Sequence, residues 1–149
     1  MKISPDTALE EIVSLNSRTG SWFVLAQERI DLFADATDDH QWIHVDPERA
    51  RLGTYGTTVA HGFLLLSLLP SLAGEILHLT GFSSVLNYGL DRVRFPGPAP
   101  ANSRIRDRLV IDGAERAAHG VLLKVTHTIE VEGLSRPACV AQQLRLLVP

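Results

Sequence analysis

Cysteine, methionine, aromatic side chains and long apolar runs are all scarce in this sequence. Of 149 residues one is Cys, one is Met and 6% are aromatic. The lone Cys139 cannot close an internal disulfide, so an apolar core has to hold the fold, and a reducing, cytoplasmic setting is expected. No basic run is present and the formal net charge is -3, which removes the electrostatic footprint that nucleic-acid binding needs. The longest apolar stretch, from Val59 to Leu79, is interrupted by His61, Ser67, Pro70, Ser71, Gly74, Glu75 and His78. That pattern suits a buried helix and excludes a membrane span. The first residues, Met1-Lys2-Ile3-Ser4-Pro5-Asp6, hold nothing like the apolar core of a signal peptide. Internal repeats, low-complexity blocks and linkers are also absent, so one domain over residues 1–149 is expected.

What is there is a balanced globular composition, 45% apolar and 21% charged. Ser4-Pro5-Asp6 has the form of a helix start, and Ala8, Leu9, Ile12, Val13 and Leu15 continue at helical spacing towards a stop at Gly20. Trp22 to Leu25 reads as a short strand and Gln27 to Ala36 as a helix burying Ile30, Phe33 and Ala34. Thr37 to Thr58 loses periodicity; it reads as a long ordered loop, the kind of segment that carries function. The apolar helix follows, from about Ala60 to Leu79, with a kink or broken ladder expected at Pro70. Beyond it the period changes to two. Val121, Leu123, Val125, His127, Ile129 and Val131 alternate with Lys124, Thr126, Thr128 and Glu130, while Ile105, Leu109 and Ile111 oppose Arg104, Arg106 and Arg108. Further strands are expected from Ser83 to Phe95 and from Pro137 to Val148, the last presenting Ala138, Val140, Gln142, Leu144 and Leu146 on one face. A helix apolar on every side followed by antiparallel strands implies an α+β architecture, a sheet wrapped around a central helix, with a partner subunit completing the cover.

Chemistry concentrates between Phe33 and Asp46, where four acids and two histidines share the presumed loop. Asp39 and His44 are five apart; in a helix they would sit about 140° apart, and in a strand on opposite faces. Only a turned loop lets them converge on one water, orient it, take a proton and return one. Val59-Ala60-His61-Gly62-Phe63 opens the apolar helix, where unpaired N–H groups and a partial positive charge suit a developing oxyanion. Gly62 leaves room for a ligand oxygen to approach.

Phe33-Ala34, Thr37, Asp39, His44, Asp46, Gly56, Ala60-His61-Gly62, Asn87-Tyr88-Gly89 and Arg94-Phe95-Pro96 together resemble the MaoC-like dehydratases, the single hot-dog (R)-specific enoyl-CoA hydratases, over nearly the whole chain. The resemblance implies a hot-dog fold, usually homodimeric, and reversible syn hydration of a trans-2-enoyl-CoA to the (R)-3-hydroxyacyl-CoA, with no metal and no redox cofactor. It places the water-handling pair at Asp39 and His44 and the thioester-binding amide near Gly62, with His61 and Gln41 as further substrate contacts. The family pattern has glycine where Asp38 stands and proline where Trp42 stands. Asp38 is expected to turn outward, and Trp42 to reshape the pocket.

Blander roles compete at several positions. His40, His44 and Asp46 could ligate a metal, but no supporting ligand motif accompanies them. His61 fits a histidine hydrogen-bonded near a helix start, His127 a satisfied core histidine and Cys139 inert packing. Arg92, Arg94, Arg104, Arg106 and Arg108 could meet CoA phosphates, but read better as a solvated sheet face. Two other functions are open: a hot-dog thioesterase, disfavoured because Ala60 to Gly74 contains no acid, and a non-catalytic acyl-thioester binding module.

Overall fold

The computed structural model describes residues 1–15 and 17–149. Its centre is a helix, α5 (Gly62–Gly74), in which Leu64, Leu65, Leu68, Leu69, Leu72 and Ala73 are buried on several sides. Preceding it are β1 (Lys2–Ile3), α1 (Leu9–Ser14), β2 (Arg18–Thr19), β3 (Phe23–Val24), α2 (Gln27–Thr37), α3 (Trp42–Val45) and α4 (Pro47–Arg51). Following it are β4 (His78–Leu79), β5 (Ser84–Arg94), β6 (Arg104–Ala117), β7 (Gly120–Val131) and β8 (Cys139–Val148). The sheet order is β2-β6-β7-β8-β5, with β3 also on β6, every pair antiparallel. β1 and β4 form a separate parallel pair.

The sheet's inner face meets α5 in two apolar clusters. One joins Leu65, Leu68, Leu69 and Leu72 to Ile105, Ile129, Val131, Cys139 and Ala141. The other gathers Ile12, Ala73, Ile76 and Leu77 on Leu109, Ile111, Leu123, Val125 and Leu147. The expected α+β hot-dog arrangement, an antiparallel sheet wrapped on a central helix, is thus the one observed.

Three expectations need correction. Ser4-Pro5 opens a turn closed by Thr7 N–H on the Ser4 carbonyl, and the helix begins only at Leu9; it ends at Ser14, and Arg18–Thr19 is strand. The central helix stops at Gly74 rather than near Leu79, because Ile76 and Leu77 are buried from a bend that leads into β4. The expected long loop carries two short helices, α3 and α4, the second capped by Asp46, whose carboxylate accepts from Arg49 N at 3.0 Å. In β8, whose Val140, Gln142, Leu144 and Leu146 share one face as expected, the face that meets α5 is Cys139, Ala141, Gln143, Arg145 and Leu147. α5 runs through Pro70 as helix, although the missing N–H deprives the Leu66 carbonyl of its regular donor.

The outer face is polar and internally matched. Arg104 pairs with Glu132 at 2.9 Å, and Arg106 and Arg108 with Glu130 at 2.8 and 3.2 Å. The Arg106 guanidinium also lies 4.3 Å from the Trp22 ring centre. Arg104, Arg106 and Arg108 thus share two carboxylates in a cross-strand ladder. Cys139 is fully buried, and its thiol is pushed up to about 12 by burial, which makes it inert packing.

Candidate active site

α2 ends at Thr37, and Asp38 takes φ 56°, the left-handed conformation that closes helices. Only glycine adopts it freely, which accounts for a glycine there in the family pattern. The Asp38 side chain is exposed, and the described group it acts on is His40, held above its ordinary value chiefly by a 2.9 Å bond to Asp35. The reversal at Asp38 brings Asp39 back beside α3, where His44 sits.

His44 is fixed from two sides. Its Nδ1–H donates to the Val59 carbonyl at 2.6 Å, so a neutral ring presents a bare Nε2. Its own carbonyl accepts from Gln27 Nε2 at 2.7 Å, and Gln27 also donates to Asp31 at 2.7 Å and accepts from the Thr58 hydroxyl. Burial pushes the His44 pKa below its ordinary value, with the neighbouring His61 acting in the same sense; the Val59 bond and Asp39 oppose both. Neutral His44 with a free Nε2 is therefore the resting form.

His61 stacks on His44 at 3.7 Å between ring centres and lies 5.1 Å from Phe33. Its Nε2–H donates to the Asp39 backbone carbonyl at 2.9 Å, so it fixes the loop that carries the carboxylate. His61 Nδ1 is buried with no partner among the described residues. Asp39, His44 and His61 each offer an atom within 4.8 Å of the other two, and no hydrogen bond joins the Asp39 carboxylate to either ring among the described residues. A separation of that order suits one bridging water.

These three side chains are the group that could hold a metal ion among the described residues. The near-parallel stack, tilted by only 27°, sets the two imidazoles side by side, whereas ligand atoms have to converge on a single point. The other candidate set is dispersed: His40 is exposed on Asp35 and Asp46 caps α4.

His61 is the N-cap of α5 and Gly62 its first residue. The N–H groups of Leu64 and Leu65 donate to the His61 carbonyl, while those of Gly62 and Phe63 reach no backbone carbonyl among the described residues. A Cβ on Gly62 would lie 3.0 Å from the Phe95 ring. The start of α5 is pinned by Ala60 N–H on the Ala99 carbonyl and by the Val59–Pro100 bridge. Gln41 is exposed, and its side chain makes no hydrogen bond among the described residues; its carbonyl accepts from His44 N–H. Trp42 stacks under Arg49 at 4.5 Å and against Gly53, on the α4 side. Gln27, Thr58 and the Val59 carbonyl went unread in the sequence. Their partners lie 17, 31 and 15 residues away, and no local pattern marks them.

The model of the MaoC like domain matches residues 9–132. The chain belongs to the MaoC-like family. A 3-hydroxyacyl-thioester dehydratase Z of Mycobacterium tuberculosis is 51% identical over 124 residues, 83% of this chain and 82% of that protein. Nodulation protein N of Rhizobium leguminosarum bv. viciae is 42% identical over 134 residues, 85% of this chain and 80% of its own length. Among solved structures, the (R)-hydratase from A. caviae involved in PHA biosynthesis matches with a TM-score of 0.70 at 20% identity, over 90% of this chain and 98% of that one. The family expected from the sequence is borne out, and membership makes this MaoC-like chain a hydro-lyase. No helix among the described residues is long and apolar enough to cross a membrane.

Proposed function

We propose that residues 1–149 form one hot-dog domain acting as an (R)-specific enoyl-CoA hydratase, with Asp39 and His44 as its acid–base pair. The observation that carries this is a backbone-locked His44, its Nδ1 held by the Val59 carbonyl, with a ring nitrogen within 4.8 Å of an Asp39 carboxylate oxygen, beside the free amides of Gly62 and Phe63. A trans-2-enoyl thioester seated with its carbonyl oxygen on the Gly62 N–H presents C3 to that water. One member of the pair removes a proton as the water oxygen bonds to C3, and the π electrons move onto the thioester oxygen. As the carbonyl re-forms, a proton is delivered to C2 from the same side. The sum is one water added, with both side chains returned to their starting state. Dehydration, the direction named for the mycobacterial relative, is the reverse.

A homodimer belongs to the same proposal. Among the described residues β5 pairs only with β8, leaving its other edge open, and Leu86, Tyr88 and Leu90 on it are exposed. A long apolar edge strand of this kind is a template for a second copy. A thioesterase is not favoured: the acid following α5, Glu75, has its carboxylate 3.4 Å from Ser21 N–H, past the helix end. The test is loss of the enoyl absorbance of crotonyl-CoA. Asp39→Asn and His44→Gln should each lower turnover by about a hundredfold or more with folding retained. Free-thiol release without hydration would reverse the assignment.

A further inference from the structure

Beyond the reacting centre, a groove of about 390 Å³ runs between α5 (Leu66, Ser67, Pro70) and the inner face of β5 and β8 (Asn87, Leu90, Gln143). Phe63, Ser67 and Pro70 follow one another along the helix at turn spacing, so a single stripe leads from the free amide of Gly62 into this groove. At the helical rise, Leu66 and Pro70 lie about 6 and 12 Å from Gly62 along the axis. An acyl tail leaving a thioester at Gly62 reaches the groove with roughly its sixth to tenth carbon.

The groove is not lined as an alkyl slot. Gln143, only 5% exposed, donates from Nε2 to Asn87 Oδ1 at 3.1 Å. Its Oε1 lies 3.2 Å from His127 Nε2, and His127 Nδ1–H donates to Asp107 at 2.7 Å. This chain spans four neighbouring strands, buried at Asp107, His127 and Gln143, and ends on the exposed Asn87 amide, whose nitrogen has no partner among the described residues. Opposite Asn87 in register stands Arg145, two residues from Gln143 on the same face. Arg145 is 8% exposed, makes no ion pair or hydrogen bond among the described residues, and has a buried Nε without an acceptor. A guanidinium buried in this way lacks the acceptor such groups require. The exposed Asn87 amide thus lines the groove, and the buried Arg145 stands opposite it in register, on a face that apolar residues line elsewhere.

We infer that the protein takes acyl thioesters whose tails carry a hydrogen-bond-accepting oxygen, a ketone or a carboxylate, about six to ten carbons from the thioester, read by Asn87 and Arg145. This rests on the hydratase reading above. The purified protein should be assayed with crotonyl-CoA, 2-octenoyl-CoA, 7-oxo-2-octenoyl-CoA and 2-octenedioyl-CoA. At least one oxygenated octenoyl thioester should exceed plain 2-octenoyl-CoA in kcat/KM by about tenfold, chiefly through KM. The diacid leading assigns Arg145 as the reader, and the ketone leading assigns Asn87. Asn87→Leu or Arg145→Met, whichever matches, should bring the ratio near unity. Turnover of crotonyl-CoA with no oxygenated preference overturns this inference alone, as does a preference that survives both substitutions. Absence of turnover on all four thioesters removes the hydratase reading and this one with it.

Discussion

Replacing Gln27 with methionine keeps most of the side-chain volume and removes three hydrogen bonds, none of which touches substrate. Gln27 Nε2 donates to the Asp31 carboxylate and to the His44 carbonyl, each at 2.7 Å, and Oε1 accepts from Thr58. Thr58 is 2% exposed, so its hydroxyl and the His44 carbonyl would both lose a partner away from water. With net values of about 1 kcal/mol per bond and extra cost for groups left unpaired, the loss is about 2–4 kcal/mol. For a domain of this size that is roughly a 6–12 °C fall in Tm. Because the His44 carbonyl anchors the turn that aims the imidazole, kcat on crotonyl-CoA should fall by about tenfold to a hundredfold with little change in KM. Gln27→Glu, equal in shape but unable to donate, should do at least as much harm, since its carboxylate would face Asp31. Thermal melts and the absorbance assay read both effects. A Gln27→Met protein that melts within about a degree of the parent and turns over at the parent rate would refute the positioning role.

Three other outcomes follow from the geometry. His44 is held below its ordinary 6.5 by burial, so the acid limb of kcat/KM should lie below pH 6.5. The same shift makes the His44 contribution to stability complete above that pH and lost as the pH falls through the lowered value, measurable by melts across pH 4–7. Asp38→Gly relieves a left-handed residue and should raise Tm by about 2–4 °C, for a gain of about 1 kcal/mol, whereas Asp38→Val should lower it. His127→Leu would strand the Asp107 carboxylate, both groups being fully buried, and should cost about 3–5 kcal/mol in urea melts; adding Asp107→Leu should restore much of it.

The family resemblance singled out Asp39 and His44 in the sequence, and their spacing added one geometric constraint. Asp39 and His44 can converge only across a turned loop, and the left-handed Asp38 provides that turn. Strands β6 and β7 were readable because their inner positions, Leu109, Ile111, Leu123 and Val125, are apolar and alternate with charge. β8 is less telling for the opposite reason. Its inner face carries Gln143 and Arg145, which belong to the buried polar chain and its neighbour, while Val140 and Leu144 face outward. Periodicity finds the strand there without saying which of its faces turns inward. Apolarity also overran the helix end, since Ile76 and Leu77 stay buried after the helical hydrogen bonds have stopped. Pro5 carries a helix-start signal that Ser4 and Thr7 divert, their side chains and backbone closing a turn of their own. The Gln27 clamp had no local signature at all.

The pairing of β5 with β8 has a consequence for biosynthesis. β5 leaves the ribosome well before β8, and β6 and β7, which emerge between them, do not pair with it. Throughout that interval the strand holding Leu86, Tyr88 and Leu90 has neither of its edges covered, and α5 lacks part of the sheet it packs on. Chains stalled or truncated before Cys139 should accumulate as aggregates, and slower synthesis at reduced temperature should favour recovery of the folded protein.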